Sequence, residues 1–315
     1  MTRVAADSST RSEVWRVNDV DLAVTVAGRG PLVVLAHGFP DLGLTWRYQL
    51  PALRDAGYSV VVPDMRGYGR SSRPADPSRY DAATIARDLV GLVDRLGESR
   101  AHFVGHDWGA ASVWAVGAMH PDRVLSLTGV AVPYASPAPV APTEIFRRRL
   151  GEDYYMLRFQ ERDAPERWLA REPRRTLAAA FSERFDELES DAALTAPAWF
   201  DDDVFEAYVG AFTATGFGGG INYYRAIDAN WRQARERGAD PIDPAALFVT
   251  GSRDPLTTTM SAERSAHAFR DLRVEVVDGA AHWVHQEQPD AVNELMLAHL
   301  RRADTAHDIE RKAGV

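Results

Sequence analysis

The stretch that most constrains this chain is His-Phe-Val-Gly-His-Asp-Trp-Gly-Ala-Ala at residues 102–111. A short apolar run leads through Gly105 to Asp107, and Gly109 follows at the start of a helix-forming segment. Glycines on both sides of one polar residue allow a strand to turn sharply into a closely packed helix, which is the pattern of a nucleophile elbow. The alternative is an ordinary strand-to-helix corner capped by aspartate, a favoured residue there. This stretch alone is compatible with both interpretations.

Aspartate at the centre of this pattern predicts a different chemistry from the commoner serine. A carboxylate with a reference pKa of about 3.9 is anionic at neutral pH, so it can attack a carbon atom without help from a base. A histidine in the same site is then free to act in a later step. If the elbow interpretation holds, Asp107 is a covalent nucleophile.

Apolar segments on either side of the elbow alternate with helical patterns. Residues 13–20 and 21–27 carry alternating and β-branched residues, which predicts an opening antiparallel pair. Helical spacing of apolar residues occurs in segments 45–57, 85–96 and 290–300. A continuous apolar run, typical of strands buried on both faces, covers residues 32–36, and another buried strand is predicted at residues 58–63. Further strands of the core are predicted at residues 124–132, 246–250 and 274–277. This alternation predicts an α/β fold with a mostly parallel, doubly wound sheet.

Strand signals fade in the middle of the chain, which suggests how it is divided. Residues 134–233 hold proline-rich turns and helical patterns, and we expect a helical lid inserted into the α/β core. The core itself is expected at residues 13–133 and 234–302. The polar residues 1–12 and the charged residues 303–315 are expected to be flexible tails.

Composition narrows the function classes. The chain of 315 residues has no cysteine, so disulfides, thiol catalysis and cysteine-bound metals are excluded. Its net charge of -9 argues against nucleic acid as a partner. The loop at residues 64–72 contains glycines, but it has no lysine, because Lys312 is the only one in the chain. The loop also lacks the spacing of a phosphate or dinucleotide site, so we interpret it as a structural turn. The histidines lack metal-ligand spacing. We therefore expect no cofactor and no metal.

No segment of the sequence reads as a membrane span or a signal peptide. No apolar run approaches the length that crosses a bilayer, and residues 1–12 lack an apolar core segment. We therefore expect a cytoplasmic protein without membrane insertion.

Three catalytic candidates follow three predicted strands, in the order Asp107, Asp254, His282. Loops at the carboxyl ends of parallel strands build the sites of such sheets, and this order of nucleophile, acid and base is that of α/β-hydrolases. Asp254 has an alternative interpretation as a turn residue before a proline. The rivals of His282 are His285 and His299, but only His282 lies in the loop just past the last strand. His106 is better explained as a hydrogen-bonded core histidine.

The turn His-Gly-Phe-Pro at residues 37–40 ends the first buried strand. At this place the hydrolase pattern has its second oxyanion donor, which here is the backbone N–H of Phe39. The alternative is an ordinary strand-end turn in which His37 is hydrogen-bonded internally.

Taken together, these motifs resemble the epoxide hydrolases of the α/β-hydrolase fold. The resemblance covers nearly the whole chain between the tails and includes two lid motifs, Asp-Tyr-Tyr-Met-Leu-Arg-Phe-Gln at residues 153–160 and Asn-Tyr-Tyr-Arg at residues 222–225. These look like the segments that carry the family's two acid tyrosines. By that match the pair is Tyr155 and Tyr224, whereas Tyr154 and Tyr223 are expected to pack within the lid.

The resemblance implies a two-step reaction on a small apolar epoxide. Asp107 would open the ring to form an ester while Tyr155 and Tyr224 hold the epoxide oxygen. His282, oriented by Asp254, would then activate water against that ester to release a vicinal diol. Backbone N–H groups of Phe39 and Trp108 would form the oxyanion hole. We expect an aromatic substrate pocket, in a monomer or homodimer, lined by Phe39, Trp108, Tyr155, Tyr224 and Trp283.

Two other functions remain open at this point. A haloalkane or haloacid dehalogenase of the same fold also uses an aspartate nucleophile, often with a tryptophan beside it as at Trp108. Halide leaves without a proton, however, so that chemistry has no use for paired phenols, and haloalkane dehalogenases tend to carry asparagine where this chain has Phe39. The second alternative is a hydrolase-fold protein that binds a ligand without turnover.

Overall fold

The computed structural model describes residues 10–238, 241–256 and 266–313. Eight strands form one sheet in the order β1-β2-β4-β3-β5-β6-β7-β8. The strands are β1 (Arg11–Val17), β2 (Val20–Gly28), β3 (Leu32–Ala36), β4 (Ser59–Pro63), β5 (Ala101–His106), β6 (Val124–Val130), β7 (Ala246–Gly251) and β8 (Leu272–Val277).

The sheet is mostly parallel, as the sequence predicts. Strands β1 and β2 pair antiparallel, β2 pairs antiparallel with β4, and every neighbouring pair from β4 to β8 is parallel. The carboxyl ends of β3, β5, β7 and β8 therefore lie along one edge of the sheet. Loops that leave these four ends can build a common site.

Helices cover both faces of the sheet because its central strands are apolar on both sides. Val34 and Phe103 belong to one core, whereas Val33 and Val104 belong to the other. Side chains of successive strand residues point to opposite faces, so a continuous apolar run fills both cores at once. The helices of this part are α1 (Gln49–Asp55), α2 (Ala82–Arg95), α3 (Trp108–Met119), α11 (Val284–Glu287) and α12 (Pro289–Ala313).

Among the described residues, seven α-helices lie between β6 and β7, and we call this segment the helical insertion. They are α4 (Pro142–Leu150), α5 (Tyr155–Arg158), α6 (Ala164–Leu169), α7 (Pro173–Phe181), α8 (Asp202–Thr215), α9 (Gly218–Arg225) and α10 (Ile227–Arg237). Its buried aromatic residues, among them Phe159, Phe181 and Phe217, share one core with the sheet. The insertion is therefore packed onto the body of the molecule through aromatic side chains.

The predicted tails are wrong where the structure describes them. Strand β1 begins at Arg11, and α12 continues to Ala313 instead of ending near residue 300. The longer helix is anchored by Asp304, whose carboxylate accepts a hydrogen bond from Tyr58 at 2.8 Å and contacts His102 at 3.0 Å. Residues 1–9 and 314–315 of the predicted tails lie outside the described residues.

One predicted helix is divided in two. A short 3-10 helix spans Gly43–Trp46, and α1 begins at Gln49, where the sequence predicts one helix over residues 45–57. Pro51 explains the break, because proline has no N–H to donate and fits only the first turn of a helix.

Among the helices that the structure describes, none is both long and apolar enough to cross a membrane.

Candidate active site

Asp107 stands at a strained turn between β5 and α3. Its backbone has φ 53° and ψ -119°, and its side chain makes no capping hydrogen bond to the helix. The turn also needs glycine beside it, since a Cβ atom on Gly109 would lie 2.0 Å from the Ala36 carbonyl oxygen. Backbone strain of this kind concentrates at functional sites. The geometry is that of an elbow that presents its side chain, and the helix-cap alternative is wrong.

Backbone N–H groups converge on the Asp107 carboxylate. The Phe39 N–H donates to Asp107 Oδ1 at 2.8 Å, and the backbone N–H of Trp108 faces the same side chain and lowers the pKa of its carboxyl. Gly38 allows this approach, because a Cβ atom there would lie 2.4 Å from Asp107 Oδ1. Both donors predicted for the oxyanion hole therefore already face the carboxylate on which an ester oxyanion would form.

The environment of Asp107 affects its charge in two opposing ways. Burial raises the pKa of Asp107, whereas the charge of His282 and the two backbone N–H groups lower it, and the net result is a raised pKa. The side chain nevertheless keeps 16% of its surface accessible, and His282 keeps 14%. A space large enough for water therefore adjoins both groups.

His282 and Asp254 meet as the sequence predicts. Asp254 is buried, and its Oδ2 lies 3.2 Å from His282 Nδ1. The opposite ring atom, Nε2, lies 3.8 Å from Asp107 Oδ2. Burial lowers the pKa of His282, but the hydrogen bond to Asp254 and the charges of Asp254 and Asp107 outweigh that effect and raise it to about 9. At neutral pH the imidazole is therefore protonated between two carboxylates.

The rival histidines are bound elsewhere. His285 Nε2 contacts Thr45 Oγ1 at 2.7 Å, and His299 Nε2 contacts the Leu127 carbonyl at 3.1 Å. His106 is fully buried, with Nε2 3.1 Å from the His282 carbonyl oxygen. Burial lowers the pKa of all three, so they are neutral core residues.

The His-Gly-Phe-Pro turn serves both of its proposed roles. His37 Nε2 accepts the Met65 N–H at 2.9 Å, and Nδ1 lies 3.0 Å from the Gly38 carbonyl oxygen, so the ring fixes the turn internally. That fixed turn holds the Phe39 N–H on Asp107. The two interpretations of this turn are therefore compatible, because the internal hydrogen bonds of His37 fix the turn that carries the Phe39 N–H.

Tyr224 packs directly over the elbow. Its ring centroid lies 5.0 Å from that of Trp108 and 5.3 Å from that of Phe39. The Trp108 side chain also hydrogen-bonds Tyr224, and because an indole only donates, the phenol oxygen is the acceptor. The Tyr224 proton is therefore left free to be donated elsewhere.

Tyr155 comes from a different helix and lies beside Tyr224. The two ring centroids are 6.0 Å apart. Burial raises the pKa of both phenols well above the usual value, and the negative charge of Asp107 raises both further. Both tyrosines are therefore protonated donors within the electrostatic reach of the carboxylate.

The neighbouring tyrosines have other contacts, but the prediction that both pack within the lid is wrong for Tyr223, which packs on Tyr68 and Tyr80 of the α/β core. The Tyr223 hydroxyl donates to the Arg66 carbonyl at 2.9 Å, and the Tyr154 ring packs on Phe146 with centroids 5.4 Å apart. The Tyr154 oxygen also accepts a hydrogen bond from the Tyr155 hydroxyl, a contact that packing alone does not predict.

Trp283 lies apart from the other four predicted pocket residues. Its ring packs on Phe181 at 4.7 Å and on His106 at 4.8 Å between centroids. Phe39, Trp108, Tyr155 and Tyr224 are instead joined to each other through Tyr224. The place of Trp283 in a substrate pocket stays a prediction.

Two residues that hold the tyrosine helices together are missed by the sequence analysis. Gln160 Nε2 donates to the Met156 carbonyl at 2.9 Å and to the Tyr224 carbonyl at 3.1 Å, so it links α5 to α9. Arg225 binds the Phe159 carbonyl at 3.0 Å and Glu166 at 2.6 Å. Their adjacency to the tyrosine motifs was the available signal, but their partners lie about sixty residues away.

The spacing of histidines along the sequence also fails to predict a buried polar cluster. Asp41, His106 and His285 each offer one atom, all within 4.8 Å of one another. Asp41 Oδ2, His106 Nδ1 and His285 Nδ1 have no hydrogen-bond partner among the described residues. Burial raises the pKa of Asp41 to about 7 and keeps both histidines neutral, so the cluster carries little charge to attract a cation. The expectation of no metal stays a prediction.

Comparison with known proteins agrees with this geometry. The family model described as alpha/beta hydrolase fold matches residues 31–289. This match and the eight-stranded sheet define a protein of the α/β-hydrolase fold.

Relatives with known names narrow the class further. The chain is 41% identical over 307 residues to Epoxide hydrolase A of Mycobacterium tuberculosis, covering 90% of this chain and 95% of that protein. It is 35% identical to Epoxide hydrolase 2 of Siraitia grosvenorii, covering 90% and 96% respectively.

Solved structures of epoxide hydrolases are also similar. The crystal structure of Epoxide Hydrolase A from Mycobacterium thermoresistibile has a TM-score of 0.87 at 39% identity and covers 93% of this chain and 98% of that chain. An epoxide hydrolase of Vigna radiata has a TM-score of 0.86 at 28% identity and covers 95% and 99%. The chain belongs to the epoxide hydrolases of the α/β-hydrolase fold, and the predicted fold class and enzyme class are confirmed.

Proposed function

We propose that this chain converts a small apolar epoxide and water into a vicinal diol through an ester on Asp107. The observation that carries the proposal is the convergence of two protonated phenols and one carboxylate: the Asp107 charge acts on both Tyr155 and Tyr224. Such a set matches an epoxide, whose ring carbon needs a nucleophile while its oxygen needs a proton donor.

In the first step, Asp107 attacks a ring carbon and the carbon–oxygen bond of the epoxide breaks. Tyr155 and Tyr224 donate hydrogen bonds to the departing oxygen, which becomes a hydroxyl when it receives a proton. The Trp108 indole, which donates to the Tyr224 oxygen, makes that phenol a better donor. The product of this step is a hydroxyalkyl ester.

Protons balance if His282 starts as an imidazolium. Its pKa of about 9 means that it carries a proton at neutral pH. Formation of the ester removes the negative charge of Asp107, which lowers the pKa of His282 and releases its proton to replace the one that the tyrosines gave to the alkoxide. His282 is then the neutral base that the second step requires.

In the second step, His282 removes a proton from water while that water attacks the ester carbonyl. Asp254 holds Nδ1 and stabilises the imidazolium that forms again. The N–H groups of Phe39 and Trp108 stabilise the tetrahedral oxyanion, an effect typically worth about 3 kcal/mol for each donor. Collapse of this intermediate releases the diol and restores the Asp107 carboxylate.

The site favours apolar substrates, and the helical insertion acts as the lid that closes over them. Phe39, Trp108, Tyr155 and Tyr224 surround the carboxylate with aromatic surface, and Phe159 packs against Tyr224 with centroids 5.0 Å apart. The lid is assigned to residues 134–233, between the two parts of the α/β core. A monomer or homodimer in the cytoplasm stays a prediction, which light scattering and cell fractionation would test.

A substrate panel tests the proposal. Aryl, alkyl and fatty epoxides are incubated with the protein, and diol is measured by chromatography. Haloalkanes and haloacids are assayed in parallel for halide release. We expect diol from at least one apolar epoxide and no halide. Halide release without diol would favour the dehalogenase alternative, and binding of epoxides without turnover would favour a non-catalytic role.

A further inference from the structure

Helix α7 of the helical insertion ends against the loop that carries His282. Its last residue and a residue just past its end make the contact: the Phe181 ring packs on the Trp283 ring with centroids 4.7 Å apart, and Glu183 Oε1 accepts the His282 N–H at 2.9 Å. Phe181 and Trp283 are both buried, so this junction is a fixed contact between the insertion and the sheet edge.

Glu183 occupies a backbone position that normally belongs to glycine. It follows the end of α7 with φ 58°, and the Arg184 N–H closes the helix end on the Ala179 carbonyl at 2.8 Å. This is the C′ position of a helix end, where glycine is preferred because a side chain is strained there. A strained glutamate that binds the backbone of the predicted base suggests a functional reason for the residue.

Carboxylates hold three successive N–H groups of this loop. Glu287 accepts the Ala281 N–H at 3.0 Å and the Trp283 N–H at 3.1 Å, and Glu183 accepts the His282 N–H between them. Glu287 belongs to the adjacent helix α11, whereas Glu183 comes from the insertion, about a hundred residues earlier in the chain. Of these two carboxylates, it is Glu183 that makes the position of the base depend on the insertion.

We propose that Glu183 is a positioning residue of the reaction, which fixes the His282 backbone from the insertion and adds a negative charge beside its ring. The proposal rests on the proposed function, because it assigns a residue that acts through His282. The charged or titratable groups that face His282 are Asp254, Asp107, Glu183, His106 and Glu287.

The charge of Glu183 contributes to the raised pKa of His282, after the larger effects of Asp254 and Asp107. Glu183 is exposed to solvent, so water screens this effect and a small change is expected. Removal of the charge lowers the pKa of His282, which extends ester hydrolysis to lower pH because the base becomes neutral earlier.

Three variants test the proposal with styrene oxide as the probe. Glu183→Gly removes the carboxylate and relieves the backbone strain. Glu183→Gln keeps a hydrogen-bond acceptor without the charge. Asp163→Gly is the matched control, since Asp163 is an exposed acidic residue of the insertion with φ 64° whose side chain caps no helix. Ester formation and ester hydrolysis are measured separately by rapid quench, and thermal unfolding is measured for each variant.

We expect Glu183→Gly to unfold at the same or a higher temperature but to hydrolyse the ester about 3- to 10-fold more slowly, the usual effect of one lost hydrogen bond. Glu183→Gln should keep its rate at high pH, with the apparent pKa of hydrolysis lowered by about 0.3–0.5 units, as screened charges produce. Asp163→Gly should behave like the wild type in both steps.

Hydrolysis at the wild-type rate in Glu183→Gly, or a pH profile of Glu183→Gln that superimposes on that of the wild type, would overturn the proposal. Failure of the proposed function looks different: the wild type and Asp163→Gly would then release no diol either.

Discussion

The sheet edge and the helical insertion hold their site residues by different means. At the sheet edge, the backbone positions the site residue: a strained elbow presents Asp107, and the Phe39 N–H donates to its carboxylate at 2.8 Å. In the insertion, side chains position the site residues, because Gln160 and Arg225 hold the two tyrosine helices by binding backbone carbonyls. The difference teaches that main-chain geometry fixes the proposed nucleophile, whereas the proposed acid pair depends on a few side-chain contacts that single substitutions can remove.

The largest effect is expected at the sheet edge. Asp107→Asn removes the nucleophile, and diol formation should fall by about 10⁴-fold, as is typical when a residue of a catalytic triad is lost. Steady-state turnover of an epoxide from the panel measures this, with Asp163→Asn as a control that should retain full activity. Unchanged turnover in Asp107→Asn would rule out covalent catalysis at the elbow.

The second effect separates the two steps at the same edge. His282→Gln leaves the nucleophile in place but removes the base of the second step, so the ester should still form, with solvent water replacing the proton that the tyrosines give away, and then persist. We expect turnover to fall by about 10³-fold or more and the intact protein to gain the mass of one epoxide. A mass that stays unchanged after long incubation would show that the ester does not form without His282, which would contradict its assignment as the base of ester hydrolysis alone.

A smaller effect is expected when the insertion loses one phenol. Tyr155→Phe and Tyr224→Phe should each slow ester formation by about 10- to 100-fold, because one of two proton donors remains. Rapid quench should show ester hydrolysis unchanged. Tyr223→Phe is the control, since its hydroxyl binds the Arg66 carbonyl and should affect stability rather than rate. Equal losses in Tyr223→Phe and Tyr224→Phe would remove the distinction between acid and packing tyrosines.

The smallest effect tests how the insertion holds its tyrosines. Gln160→Leu removes the link between α5 and α9 and should slow ester formation by about 3- to 10-fold, in line with the loss of one or two hydrogen bonds. Gln233→Leu is the control, because Gln233 is also a glutamine of the insertion and its amide binds Asp81 at 2.9 Å instead of linking the two tyrosine helices. If both variants form the ester at the wild-type rate, the link does not set the phenol positions.

Sequence reasoning succeeds at the sheet edge because local pattern determines geometry there. Glycines that flank Asp107 predict the turn, and apolar runs predict the strands whose ends carry Asp254 and His282. The order of these residues along parallel strands then predicts that they meet, as the 3.2 Å contact between Asp254 and His282 bears out.

The same reasoning is weaker in the insertion and at the ends of the chain. Gln160 and Glu183 act through partners far away in sequence, and no local pattern indicates such contacts. The extension of α12 to Ala313 is similar, because Asp304 is charged yet binds Tyr58 from the body of the fold. The charge of residues 303–315 predicts a flexible tail, whereas tertiary contacts such as that of Asp304 with Tyr58 stabilise a helix there.

A single turnover in water labelled with heavy oxygen tests the ester on Asp107 most directly. Enzyme in excess over an epoxide is quenched after one turnover, and mass spectrometry locates the label in the diol and in the peptide that contains Asp107. Because the attacking oxygen comes from the carboxylate, we expect the first diol to be unlabelled and the Asp107 peptide to gain the label. Label that appears in the first diol and not in the Asp107 peptide would mean that water attacks the epoxide directly, which would contradict the ester mechanism.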